Sequence, residues 1–473
     1  MFLGAVVCIV IAMRYISPQR AMCAARMVSV DSDESIQGAV DQNPEGTTFL
    51  IKPGAHHLQS VNPKNGDSFI GEPGAILSGA IVIKSFRRQG KYWTAQRSIP
   101  QVEGRGKCQP KYPACTLPED LFVDNAPLLR VPSLADVARH AWYLDYAAGT
   151  LYISDDPTGH IVELSLTRHA FYGSATDVTI RGLVVEKYAN LAQSGAIHAL
   201  TDPGPLSRNW VVEKNEIRLN HGAGIRLGNR MRVTENRVHH NGQIGVEGDG
   251  GNIIIEGNEI AYNNYAGYDY GWEAGGTKFV FTDSLVVRDN YVHHNEGPGL
   301  WTDGDNVNVL YERNHTAANK AAGIKHEVSF DAVIRDNVIE NDGFNPHGAS
   351  IWWGAGIQIE ASSNVQVYRN TVRDCMNGIA AVQGNRGSSQ RSGRPYLVQR
   401  LDAHDNTIVQ TSGTAAGIVK DDHFDDSVFK SWGNRYEGNS YELAAVDGKY
   451  FQWMNAPHTR EEWQGFGNDI RGR

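Results

Sequence analysis

Cysteine is scarce: five in a chain of 473 residues. Cys8 and Cys23 lie within the first 25 residues, and Cys375 has no neighbour of its kind. No Cys/His spacing suits a zinc site. Positive charge is not in excess, since 44 Lys and Arg face 53 Asp and Glu for a formal net charge of −9. That balance gives no electrostatic support for nucleic acid or an anionic membrane as partner. Long apolar runs are missing after the first residues, and a membrane span takes about 20. Also missing are a phosphate loop, a dinucleotide fingerprint and any helical pattern of useful length between the strand-like segments.

The first residues do carry an apolar run, from Phe2 to Met13, followed by Arg14 and by small residues around Cys23, Ala24 and Ala25. This pattern predicts an export signal or N-terminal anchor over residues 1–25, and so a secreted or cell-envelope protein, although no Lys or Arg precedes the run. In an oxidising compartment Cys108 and Cys115, close together in a loop rich in Pro, Gly and Lys, are expected to close a small disulfide ring.

What the chain has in quantity is Gly, 50 residues, set in a recurring phrase with Asn. The phrase runs Val-x-x-Asn-x-Ile/Val, then a polar turn, then Gly and an apolar residue. Its Asn residues are Asn215, Asn236, Asn258, Asn290, Asn314, Asn337, Asn370 and Asn406, at separations of 21, 22, 32, 24, 23, 33 and 36. A base period of about 22 residues lengthened by insertions is the mark of a solenoid. In five copies Gly follows the Asn by nine positions: Gly224, Gly245, Gly267, Gly299 and Gly323. Within each copy, runs such as Ile253-Ile254-Ile255 and Val365-Gln366-Val367 read as short strands. Short strands with turns of fixed length predict an all-β coil whose rungs stack at about 4.8 Å. Asn would form an amide ladder, and Gly would permit the corner.

The organisation expected from these signals is an N-terminal cap and first coils over 31–84, a β-rich insertion over 85–165, the repeats over 166–430 and a C-terminal cap over 431–473. Over roughly residues 30–470 the repeat resembles the right-handed parallel β-helix proteins of the pectin-lyase-like superfamily. That resemblance implies a fold more than an activity. The superfamily includes polysaccharide lyases, glycoside hydrolases, uronan epimerases, adhesins and phage tailspikes, and fold does not determine which. The signatures of pectate lyases, polygalacturonases and mannuronan epimerases are not intact here.

Aligned on Gly, the copies place Ile225, Val246, Tyr268, Leu300, Ile324 and Ile357 inward and Arg226, Glu247, Asp269, Trp301, Lys325 and Gln358 outward. Two positions further comes a mostly acidic column: Asp249, Asp303, Glu327 and Glu360. Carboxylates stacked one rung apart repel, so Lys325, a bound cation such as calcium, or a retained proton is needed among them. Insertions on either side of this face bring Trp272 and Glu273, and Trp352 and Trp353. One is expected to leave the post-Gly strand and the other to enter it, walling a groove. Taken singly each Trp is explained by packing; as a set beside the acid column, Trp301, Trp272, Trp352 and Trp353 favour a sugar groove.

The expected function is extracytoplasmic cleavage of a polysaccharide, by a glycoside hydrolase or a lyase. The rival is a non-catalytic glycan-binding or adhesin-like rod. Asp303 and Glu327, one rung or about 5 Å apart, suit a retaining pair. Lys325, His326 and Glu273 are supporting candidates, with Arg226 and Gln358 as further substrate contacts. Lys325 is a poor lyase base among carboxylates, and His326 titrates nearer neutrality but falls on an alternate position. No cofactor is required by this reading, and calcium is optional. His239-His240 and His293-His294 share a register, but two rungs separate them, which reads as solvated turns and not as a metal site.

Overall fold

The computed structural model describes residues 26–201, 203–345, 351, 352, 354–445 and 447–472. The expected signal or anchor therefore lies outside the described residues, as does Trp353. Each turn of the coil carries three short strands. One turn consists of Ala322–Glu327, Phe330–Arg335 and Val338–Glu340. These pair in parallel, in register, with Ala355–Glu360, Ser363–Tyr368 and Thr371–Arg373 of the next. The first two faces merge into one sheet because long strands such as Gly275–Arg288 run round the corner between them, while the third face forms a separate sheet. Ile225, Val246, Leu300, Ile324 and Ile357 are all buried inside the coil. Each contributes about 1.5–3 kcal/mol through burial.

Ser68–Gly71 pairs directly with Thr179–Arg181, so the chain leaves the solenoid between successive turns and later rejoins it. The excursion forms one four-stranded and one five-stranded sheet around a core of its own that includes Leu121, Trp142, Leu151 and Leu164. One end of the coil is closed by the helix Ile36–Gln42, whose first turn is capped by Ser35 and whose Ile36 and Val40 are buried. At the other end Trp463, from the helix Arg460–Gly465, packs on Tyr436, Phe451 and Trp453. Among the described residues no helix is long and apolar enough to cross a membrane.

The repeated Asn residues form the ladder that their spacing implies. The Asn290 amide accepts from the backbone N–H and the amide of Asn258, each at 3.0 Å, and donates to Asn314 at 2.9 Å. The series runs from Asn215 to Asn439. The residue before each Asn turns the corner with positive φ, and most of these are not Gly: Lys214, Glu235, Asp289, Arg313, Asp336, Arg369 and Asp405. The repeated Gly therefore serves another purpose. A Cβ at Gly245 would lie 2.7 Å from the carbonyl of Gly276 and 2.9 Å from the amide of Asn263. Gly leaves room for a second ladder on the adjacent corner: Asn220, Asn241, Asn263, Asn295 and Asn319.

Both ladders end in Asp. Each Asn passes a donor to the next rung, and the last member only has to accept. Asp469 accepts from the amide of Asn439 at 2.9 Å. Asp342 accepts from Asn319 at 2.9 Å and from the Thr316 hydroxyl at 2.7 Å. Burial pushes the Asp342 carboxyl up to about 7 in spite of these donors. The folded protein therefore binds this proton more tightly than the unfolded chain, and stability falls as pH rises from about 4 through 7. Asp342→Asn should remove that slope. Its melting temperature, followed from pH 4 to pH 8, should gain on wild type by the equivalent of about 1–4 kcal/mol; parallel curves would count against a buried acid at this position.

Candidate functional site

The site lies on the first face. In-register pairing stacks Trp301 on Lys325 and Lys325 on Gln358, and aligns Asp303, Glu327 and Glu360 two positions further along the same strands. Side chains alternate along a strand, so Thr302 and His326, which lie between these columns, point into the coil and are fully buried. The turn before differs from expectation. Its strand starts at Gly275, and Lys278 takes the place next to Glu247. Gly267 and Asp269 belong to the insertion instead, which runs over 264–274 and ends in the short helix Tyr270–Glu273. Both insertions thus enter the first-face strand; neither leaves it. Tyr268 correspondingly faces the disulfide loop and not the coil interior.

Cys108 and Cys115 are bonded to each other. Their loop buttresses the 264–274 wall: Gln109 N–H donates to the Gly267 carbonyl and Asp269 N–H to the Lys107 carbonyl, both at 2.9 Å. Gly106 lies so close to the Trp272 ring that a Cβ would come within 2.5 Å of it.

Between the walls is a cleft of about 340 Å³ lined by Trp272, Trp301, Asp303, Lys325, Glu327, Trp352, Gln358, Glu360 and Arg386, among others. Three protein cations are interleaved with the acids. Lys278 Nζ lies 2.9 Å from Asp303 and 3.3 Å from Glu273. Lys325 Nζ lies 2.6 Å from Glu327 and 3.1 Å from Glu360. Arg386 bridges Glu327 and Glu360 from the other side. The Trp301 indole N–H donates to Glu327 at 3.0 Å.

The three carboxyls are not equivalent. Burial would raise Glu327, but Lys325 and Arg386 outweigh it and hold that carboxyl at about 2. Burial and the neighbouring charge of Glu327 lift Asp303 above its ordinary value against the pull of Lys278. Burial also lifts Glu360, opposed by Lys325 and aided by Glu327. Glu327 is thus held ionised beside a carboxyl that holds its proton more tightly than usual.

The structure brings together Asp303, Glu327, Lys325, Trp301, Trp272, Trp352 and Gln358, with Glu273 reaching the group through Lys278. Other expectations need correction. Trp301 is only 4% exposed, with the Lys278 ammonium 4.1 Å from its ring centroid, so it is not an open stacking platform. His326 hydrogen-bonds Thr302 at 2.8 Å inside the coil, and burial lowers it to about 3, so it carries no proton into the cleft. Lys325 is raised above its ordinary value by Glu327 and Glu360, overcoming burial, which removes it as a general base. Arg226 pairs with Asp249 at 2.6 Å and does not line the cleft.

Sequence reasoning missed Arg386, which comes from the insertion between Gln383 and Gln399, and the place of Lys278. The histidine pairs are separated by Tyr262, which stacks between His240 at 5.0 Å and His294 at 5.1 Å. No group of side chains among the described residues is arranged to hold a metal ion.

Comparison with known proteins bears on the fold. The family described as a right-handed beta helix region matches residues 206–354. No curated protein matches the chain by sequence. A solved structure of XylC in complex with xylose superposes with a TM-score of 0.67 at 16% identity, covering 80% of this chain and 73% of that one. A glycoside hydrolase superposes with a TM-score of 0.49 at 10% identity, over 89% of this chain and 97% of that one. The A-module of an Azotobacter vinelandii mannuronan C-5 epimerase gives 0.49 at 13% identity, over 91% and 96%.

Proposed function

From a chain with the right-handed parallel β-helix fold of the pectin-lyase-like superfamily, and with this cleft on its first face, we propose a retaining glycoside hydrolase. The observation that carries the proposal is the in-register pairing of Asp303 with Glu327. Adjacent rungs at about 4.8 Å approach the 5–5.5 Å separation of retaining pairs, whereas an inverting pair needs about 6.5–9.5 Å. Glu327 attacks the anomeric carbon as carboxylate while Asp303 gives its proton to the departing glycosidic oxygen. The resulting glycosyl ester on Glu327 is hydrolysed by water that returns its proton to Asp303. Lys325 and Arg386 keep Glu327 ionised between turnovers.

A cleft of about 340 Å³ lies at the small end of ligand sites, which run from about 300 to 1,000 Å³. It suits one or two sugar units better than a long chain lying in a groove. The xylose bound by XylC supports a sugar as ligand. The Cys108–Cys115 bond supports an extracytoplasmic setting. Lys325 and Arg386 stand between Glu327 and Glu360, so the proposed mechanism calls on no calcium at these two carboxyls.

The test is a panel of aryl glycosides, short oligosaccharides and uronic-acid polymers, followed for new reducing ends and for the ultraviolet absorbance of an unsaturated uronate, with and without chelator. Reducing ends without that absorbance, unaffected by chelator and with retained anomeric configuration in proton NMR, are expected. Absorbance at the ultraviolet band would instead mean a lyase. Silence across the panel would return the protein to the class of glycan-binding rods.

A further inference from the structure

Behind the cleft lies a second pair of carboxyls that the proposed chemistry does not use. Glu247, on the strand Ile244–Gly251, is 2% exposed, and its Oε1 has no hydrogen-bond partner. Glu273, from the wall helix, is 7% exposed and ion-pairs with Lys278, the in-register neighbour of Glu247, which sets the two carboxyls beside each other. Glu273 Oε2 also accepts from the Gln193 amide at 2.6 Å and faces Lys278 at 3.3 Å. Gln243 fixes the backbone of Glu273 through a 3.0 Å hydrogen bond to its carbonyl. The charged groups facing Glu247 are Glu273, Arg226 from the preceding rung and Lys278 from the following one. Arg226 is drawn away to Asp249.

Two carboxylates in contact in a dry site cannot both ionise. Glu273 has two cationic or amide donors, and Glu247 has an oxygen with none, so the proton belongs on Glu247. We propose that Glu247 is a buried carboxylic acid that donates a hydrogen bond to Glu273, and that this acid–carboxylate pair is the anchor holding Lys278 against Asp303. Glu247 is then a positioning residue: it does not line the cleft, and it acts on the acid catalyst only through Glu273 and Lys278. Burial and the charge of Glu273 raise it well above the usual carboxylate range, in keeping with this arrangement. The inference that it tunes catalysis rests on the glycosidase reading; the inference that it is protonated does not.

Glu247→Gln keeps a donor toward Glu273, and Glu247→Leu keeps bulk without one. At neutral pH the wild-type minus Glu247→Gln difference spectrum should show the infrared carbonyl stretch of a protonated carboxyl, in which other protonated carboxyls such as Asp342 cancel. Asp303→Asn identifies whatever part of that signal belongs to Asp303. Glu247→Gln is expected to keep kcat within about threefold, whereas Glu247→Leu lowers it by about 10²-fold, the scale of a small misplacement of a reacting group. KM should change little, and melting curves of both variants check that each folds. Loss of no carbonyl signal, or equal loss of kcat in the Gln and Leu variants, would overturn the proposal. If no glycoside is cleaved by wild type, the infrared arm still decides whether Glu247 carries the proton.

Discussion

Glu327→Gln is expected to lower kcat on a cleaved glycoside by about 10³–10⁴-fold while leaving the fold intact. Gln has the same shape, so it still accepts from the Trp301 indole and from Lys325, but it has no carboxylate to form the ester. Asp303→Asn should behave differently. It removes the proton donor, worth about 10²–10⁴-fold, and its effect should shrink on aryl glycosides whose leaving groups depart without protonation. The wild-type rate should fall as pH rises through the raised Asp303 value, because the acid must be protonated, and Asp303→Asn should lack that alkaline limb. The low value at Glu327 places the acidic limb well below neutrality. A slow substrate carrying an electron-withdrawing group at C2 should leave a sugar covalently bound, and the labelled peptide should contain Glu327. Labelling of Asp303 would reverse the two roles while keeping the pair.

The largest expected effect on stability is at Asn290. This amide is 2% exposed. It accepts from the backbone and amide of Asn258, and it donates to Ile255, Arg288 and Asn314 at 2.9–3.0 Å. Asn290→Ala strands these partners away from water. A buried polar group left unpaired costs about 1–3 kcal/mol, so a total near 4 kcal/mol is expected even after partial relaxation. Asn290→Asp restores the acceptor but sets a second carboxylate oxygen against the Asn314 carbonyl oxygen. It should therefore fail to rescue stability at neutral pH and do better near pH 4, where it is protonated. Urea unfolding at the two pH values checks both statements. Equal stability of the Ala variant and wild type would mean that the ladder is incidental to the coil.

The coil was legible because one residue type returns at a countable spacing and the strands between follow a two-residue alternation. The second ladder was missed, although its members follow the first by a constant five positions: Asn220, Asn241, Asn263, Asn295 and Asn319. The column Asp303–Glu327–Glu360 followed from register alone, because stacked rungs admit no other arrangement of those positions. What failed was register across an insertion. Gly267 is followed by Tyr268 as the repeat phrase expects, whereas Gly276 is followed by Thr277 and Lys278, so the phrase favoured the first; the structure puts the second in the strand and packs Tyr268 on the disulfide loop. Arg386 was hidden for a related reason. It stands in an insertion whose path over the cleft depends on tertiary contacts such as Tyr396 on Phe330 at 5.5 Å. Trp301 was placed correctly on the outer face, yet alternation reports direction and not cover, and two lysines close over the ring.

The direction of the ladders limits how a protein of this kind can lengthen. Every Asn offers an acceptor to the turn before and a donor to the turn after, so a duplicated turn spliced among them meets matching edges on both sides. A copy spliced after Asp342 or Asp469 would meet an edge with nothing to donate. Growth by tandem duplication is therefore easiest where Asn faces Asn in both ladders; past Asp342 the coil continues on strand pairing and the first ladder alone. A duplication between Asp303 and Glu327 would be tolerated by the scaffold while moving the two carboxyls a full rung further apart, so architecture and activity can be inherited separately.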